Sequence, residues 1–273
     1  MAIFYSMNQI TLYTVLTSIL LIGFGIGGNP LKVVWLFIRN LTTNRRFLLL
    51  FASLLGILFL NKFELKLEKM MNPPPDFTHV VQRFEGGFVE GFQQLFYAPW
   101  LTPFLAFFYI VVFQSVLVAS LAIYMYQDRS GRQFTAVCYA VMINYLVAIP
   151  FYLFLPVNEV WAHDPNVKFY MLDAFPAFES MYRGLSGLDN CLPSLHTSIS
   201  VTMALLAARS GNKRWAWFVG INAVIIIFSI FYMGIHWLTD MLGGLVLATF
   251  AVALAYRLAD LKTVRERVPS VRT

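Results

Sequence analysis

The sequence predicts an all-α fold, a polytopic transmembrane helical bundle with a six-helix core and one extra N-terminal helix. Three observations predict it. The chain of 273 residues is 59% hydrophobic and only 12% charged, whereas soluble domains carry about 25% charged residues. Its apolar residues gather in stretches approaching the ~20 residues that a helix needs to cross a hydrocarbon core. Its basic residues collect in alternate loops, as membrane orientation demands. All of residues 1–273 is expected to form a single integral membrane domain, with 156–257 as its motif-bearing part.

Seven apolar segments follow one another: 10–28, 47–60, 101–126, 135–155, 195–208, 215–234 and 237–256. The first lacks a basic leader and ends in Gly28-Asn29-Pro30, so it is read as a span rather than a cleaved signal. The second is short and must tilt, extend toward Phe63, or cross only in part. The fifth must borrow residues before Leu195. The count is therefore six or seven.

Charge sets the orientation. Lys32, Arg39, Arg45 and Arg46 separate the first two segments, Arg129 and Arg132 the third and fourth, and Arg209, Lys213 and Arg214 the fifth and sixth. Arg257, Lys262, Arg265, Arg267 and Arg272 form the tail. These regions are expected to be cytoplasmic, the C-terminus with them. Lys62, Lys66, Lys69, Arg83, Lys168 and Arg183 fall in the other loops among most of the acids, on the outer side. The net charge of +6 thus speaks for contact with the lipid bilayer and its anionic headgroups, not for nucleic acid. The two cysteines, Cys138 and Cys191, fall on opposite faces and are expected to stay unpaired.

Two outer loops are long. In 61–100, Pro73, Pro74 and Pro75 break the chain, and Phe84, Phe88, Phe92 and Phe96 then recur every fourth residue. On a helix they make one aromatic stripe, as in a helix lying in the outer interface or a lid. Gly86, Gly87 and Gly91 work against one continuous helix. The second loop, 156–193, leads into the segment that carries chemistry.

That segment opens Leu192-Pro193-Ser194-Leu195-His196-Thr197. Pro193 suits a first helical turn. The unpaired N–H groups of a helix start form an anion site, to which Ser194 and Thr197 can add hydroxyls. His236 and Asp240, four residues apart, share one face of the last segment. A carboxylate on one imidazole nitrogen fixes the tautomer and leaves the other nitrogen basic, as a nucleophile or base requires. The helices between them form a hairpin, so His196 and His236 return to one membrane depth.

At these residues the chain resembles the type 2 phosphatidic acid phosphatase superfamily. Pro193, Ser194 and His196 match its Pro-Ser-x-His motif. Ser229, His236 and Asp240 match its Ser-Arg-x5-His-x3-Asp motif. Two features depart from the pattern: Ile230 replaces the arginine, and the Lys-x6-Arg-Pro motif is absent. The Leu192–His196 phrase, Tyr232 before His236, and Pro156-Val157 look more like the inositol phosphorylceramide synthase branch. The resemblance implies an enzyme of lipid metabolism, a metal-independent phosphatase or phosphotransferase of membrane lipid phosphates that needs no cofactor. His236 would form a phosphohistidine, Asp240 would hold it, and His196 would pass protons. Arg183 and Lys168 would clamp the phosphate, and Ser194 and Tyr232 would line the substrate. The acceptor would be water or an alcohol, lipid-borne or free. The site is expected on the extracytoplasmic side of the plasma membrane or an endomembrane. Four other readings compete with this one: a metal site of His196, His236 and Asp240, a Cys191 thiol nucleophile, a lipid transporter or flippase, and a purely structural membrane protein. Simple hydrolysis of a lipid phosphate or polyprenyl diphosphate is the nearest alternative.

Overall fold

The computed structural model describes residues 2–68, 70, 74–185 and 187–267, and 77% of the chain is helical, with no strand among the described residues. Lys69, Pro73 and Arg272 lie outside the described residues, as do the side chains of Lys62, Lys262, Arg265 and Arg267. Helix α1 (Met7–Ile26) starts at Ser6, whose side chain accepts from the Gln9 N–H, and ends at Gly27, whose φ of 65° closes the last turn. Helix α2 (Pro30–Thr43) begins with Asn29 as its cap and Pro30 in its first turn. Helix α3 (Arg45–Glu68) follows. Two short helices, α4 (Thr78–Glu85) and α5 (Phe88–Phe96), occupy the first long loop. Then come α6 (Leu101–Gln127) and α7 (Arg132–Phe154). The second long loop leads to α8 (Leu195–Ala208), α9 (Lys213–Tyr232) and α10 (Leu238–Arg267).

Five helices, α1, α6, α7, α9 and the 238–261 part of α10, are long and apolar enough to cross a membrane. The two segments that looked short in the sequence are the two that fall outside this set. Helix α3 does extend, past Phe63 to Glu68. It reaches the spanning criterion only together with α2, from which it is bent by 101°. Residues read as a basic loop, Lys32 and Arg39 among them, therefore belong to a helix. Its exposed Leu31, Trp35 and Ile38 give it the amphipathic character of an interfacial segment.

Helix α8 does not borrow residues upstream. Ser194 caps it, its side chain accepting from the Thr197 N–H. Pro193 thus precedes the cap, joined to Leu192 by a cis peptide bond, and is not in the first turn. Fourteen residues rise about 21 Å, against a hydrocarbon core of about 30 Å. This short helix is central, packing against α6, α7, α9 and α10. No residue from Leu195 to Ala207 is exposed. Its first residues consequently lie recessed, and the 156–193 loop folds down over them. Val157, Val160, Phe169, Met171, Phe175 and Phe178 of that loop are buried in the bundle's own core.

The aromatic stripe also divides. Gly86, at φ 58°, ends α4, so Phe84 sits on one helix and is 85% exposed. Phe92 and Phe96 of α5 pack on Phe228 of α9, with ring centroids 5.0 and 5.2 Å away. Phe88 packs on Phe231 of the same helix at 5.3 Å; packing three rings on one α9 face outweighs helical continuity, and the glycines supply the break. Cys138 and Cys191 are both free, in separate core clusters.

Helices α8 and α10 approach closely where α10 has no side chain. A Cβ on Gly244 would lie 2.7 Å from the Ser194 carbonyl oxygen and 2.9 Å from Thr197 Cβ. Small residues at such crossings let membrane helices pack backbone to backbone. Gly244→Ala is expected to lower stability by about 1–3 kcal/mol through overpacking. Gly220→Ala, with nothing within 4 Å of its added Cβ, should be neutral or slightly stabilising. Thermal unfolding of the two variants in detergent provides the comparison.

Candidate active site

Four devices bring the functional side chains to one end of the bundle. The Ser194 cap starts α8, so His196 falls in its first turn. The chain leaves α9 through Gly234, whose φ of 73° suits glycine and where an added Cβ would lie 2.7 Å from the Lys168 carbonyl oxygen. There the Ile230 carbonyl accepts from the N–H groups of Ile235 (3.0 Å) and His236 (3.3 Å), which fixes the residue that enters the site. The Ser194 N–H then donates to the Asp240 carbonyl at 3.0 Å, tying the two helix starts together. Finally, α6 carries a π-helical turn over Phe108–Val112, a distortion that re-aims side chains and recurs at functional sites. Within it stands Tyr109.

The result joins the three residues of the two motifs. His236 Nδ1 lies 3.3 Å from Asp240 Oδ2, and the same oxygen accepts from the Trp237 N–H at 2.9 Å. The rings of His196 and His236 are 6.1 Å apart. Tyr109 stacks on His196 at 4.0 Å, and its hydroxyl lies 3.1 Å from His196 Nδ1. Both imidazoles line a cavity of about 410 Å³, with Tyr109, Glu159, Asn190 and Cys191 among its other walls. Each ring is held through Nδ1, by Asp240 or by Tyr109, and Nε2 is left for chemistry.

The remaining residues singled out in the sequence take other places. Arg183 stands behind Glu159, not on the cavity wall: its Nη1 and Nη2 donate to Glu159 at 2.6 and 3.0 Å, and it also pairs with Glu179. Phe178, Phe169 and Trp161 surround its guanidinium. Burial opposes its charge, yet Glu179 and Glu159 outweigh burial and hold it above the ordinary arginine value. Lys168 has an exposed side chain, and its backbone N–H and carbonyl are bridged by the Gln93 amide of α5. Ser194 is fully buried as the helix cap. Tyr232 is fully buried too, its hydroxyl donating to the Ala98 carbonyl at 2.9 Å and lying 2.8 Å from Thr102 Oγ1. None of Arg183, Lys168, Ser194 and Tyr232 lines the cavity.

Glu159 was present in the sequence as one loop acid among several. Here it is 5% exposed, and Trp161 also donates to it. Burial pushes its carboxyl up from the ordinary value, while the Arg183 fork pulls it back. Glu85 of α4 was not singled out either. Its carboxylate accepts from the N–H groups of Leu238 (2.6 Å) and Thr239 (2.5 Å), so it caps α10 from another element.

A second triad of potential ligands exists. Cys191, His236 and Asp240 offer atoms within 4.8 Å of one another, whereas His196 is not part of that group. The Cys191 thiol donates to the Ile235 carbonyl at 3.7 Å. Burial, with Asp240 and Glu159 nearby, pushes its pKa well up. A thiol kept protonated is both a poor ligand and a poor nucleophile.

No curated protein and no solved structure matches the chain significantly. The comparison with protein families matches residues 76–254 to the PAP2 superfamily. That span contains both histidines, Asp240 and the loop that covers them, and membership suggests a lipid phosphatase-type activity. With more than half of its length matched, this chain belongs to the PAP2 superfamily.

Proposed function

We propose that the protein is a membrane-embedded phosphoesterase or phosphotransferase of lipid phosphates that works through a phosphohistidine. One observation carries the reading: two imidazoles, 6.1 Å apart across a shared cavity, of which one is backed by a buried carboxylate. His236 Nε2 attacks phosphorus while Asp240 holds Nδ1. The N–P bond forms as the P–O bond to the leaving group breaks, and His196 gives that oxygen its proton. Water or an alcohol then loses a proton to His196 and attacks phosphorus, and the N–P bond breaks. Tyr109, by accepting from His196 Nδ1–H, leaves Nε2 to receive and return the proton. Proton transfer of this kind contributes about 10²- to 10⁴-fold in rate.

The cavity's aromatic walls, with Tyr109, Phe113, Tyr145 and Tyr182 among them, favour an acceptor other than bulk water. The replacement of the motif arginine by Ile230 and the likeness to the inositol phosphorylceramide synthase branch point the same way. Arg183 offsets the negative charge of the phosphate by exchanging Glu159 for phosphate oxygens, which leaves its fork geometry in use. A transporter reading gains no support from the interior. The buried carboxylates among the described residues are Glu64, Glu159 and Asp240, grouped toward the site and not laddered across the bundle. Arg39, Arg45, Arg129, Arg132, Arg209 and Lys213 lie toward the opposite end of the helices, which supports a cytoplasmic placement for that end and an extracytoplasmic one for the site.

Purified protein incubated with a panel of radiolabelled lipid phosphates, with and without alcohol acceptors, tests the reading. His236→Ala should lose the acid-labile phosphoenzyme and at least 10³-fold in turnover, an order expected for a nucleophile. A label retained by this variant would contradict the assignment. His196→Ala should lose about 10²- to 10⁴-fold with alkyl leaving groups and recover most of the first step with p-nitrophenolate. Equal losses on both would remove its role as acid. Chelator is expected to leave turnover intact; loss restored by a divalent ion would favour the ligand triad at Cys191 instead.

A further inference from the structure

The cavity that holds the histidines continues beyond them. Its polar end is made by His196, His236, Glu159 and Asn190, and its other end by Leu58, Leu117 and Val118. Tyr109, Phe113 and Leu117 succeed one another by single turns on α6. One helix face thus leads from the His196 ring into the apolar part. The rise from Tyr109 to Val118 is about 13 Å, directed away from the site end.

The walls explain why this space exists. Helix α3 packs along α7 and makes no extended contact with α6, so α3 and α6 flank a gap backed by α7, where Tyr145 stands. Helix α2, turned by 101° from α3, crosses to α6 at the far end, where Asn40 Nδ2 lies 3.2 Å from Met125 Sδ. The bend therefore floors the gap. The gap's lining includes Val118, 47% exposed, and Leu58 of α3; Leu55 and Phe59 of the same helix are 50% and 71% exposed, surfaces that face hydrocarbon in a spanning bundle.

We propose that one hydrocarbon chain of the substrate lies in the gap between α3 and α6 while its phosphate sits between His196 and His236. This assignment rests on the lipid-phosphate reading above and adds where the lipid is held and from which side it comes. A chain that slides sideways from the bilayer into an apolar slot changes one hydrocarbon surround for another. The energetic demand of binding falls on the phosphate, which meets the polar end. The long axis of the cavity along α6 matches an amphiphile with one polar end and one chain, and the substrate's remaining bulk stays in the lipid.

The full-length protein in nanodiscs, incubated with a lipid phosphate bearing a diazirine midway along one chain, provides the test. Photolysis of the His236→Ala variant, which holds substrate without turning it over, should label Leu58, Leu117 or Val118. Absence of label at all three overturns the proposal, whatever the turnover. In the parallel kinetic arm, Leu117→Trp should lower the ratio of kcat/KM for a long-chain lipid phosphate to that for p-nitrophenyl phosphate at least tenfold. Val246→Trp, on the lipid-facing surface of α10, should leave the ratio within twofold. A ratio unchanged by Leu117→Trp counts against the slot. Label in the gap without turnover of any phosphate would keep the slot and remove the catalytic reading, so the two failures are distinguishable.

Discussion

The close crossing of α8 and α10 is the constraint on which the site depends. Two helix starts must meet within a hydrogen bond, Ser194 N–H to the Asp240 carbonyl at 3.0 Å. That contact is possible only because Gly243 and Gly244 bring no side chain to the crossing. The histidines flank this joint, His196 in the first turn of α8 and His236 two residues before α10 begins. Their separation is thus set by backbone geometry, which is stiff, and not by two flexible side chains reaching across a space. The π-helical turn of α6 adds a third rigid element by laying Tyr109 flat on His196.

Electrostatically the site opposes the phosphate proposed for it. Glu85 takes the first N–H groups of α10, Asp240 takes that of Trp237, and Glu159 forms part of the cavity wall. A helix start whose donors are already satisfied by carboxylates has little left for an incoming anion. In the proposed reaction, neutralisation falls to the imidazoles and to Arg183, which is half-encircled by aromatic rings and restrained by two carboxylates. An arginine held in this manner is oriented before the ligand arrives, at the expense of breaking an ion pair to use it.

Much of this was legible in the chain. The all-α bundle follows from hydropathy, and the two segments too short to span alone were visible as such. That His196, His236 and Asp240 come together was legible because hairpin topology returns the chain to one end of the bundle, although His236 precedes α10 and does not share a helix face with Asp240. Arg183, Lys168, Ser194 and Tyr232 were less so. Each has the right chemistry for phosphate. Whether an arginine in a loop of some forty residues faces a cavity or a glutamate depends on tertiary packing, which leaves no local pattern. Ser194 was read as a ligand and is a cap, the commoner fate of a serine before a helix. Glu159 and Tyr109 had no signal of their own: one is an acid among loop acids, the other an aromatic in an apolar run. Gly243-Gly244, three and four residues beyond Asp240 and inside a spanning segment, was the overlooked signal, since paired small residues in such a helix mark a close crossing.

The brevity of α8 has a further consequence. Spanning helices in contact with lipid must match the thickness of their bilayer or tilt to fit it. This helix is wrapped by four others and has no exposed residue from Leu195 to Ala207, so its length answers chiefly to its neighbours. The reactive groups are thereby decoupled from hydrophobic mismatch. When the surrounding membrane thins or thickens, the outer helices can lean and the rim can shift, while the distance between the two imidazoles stays as the inner joint sets it.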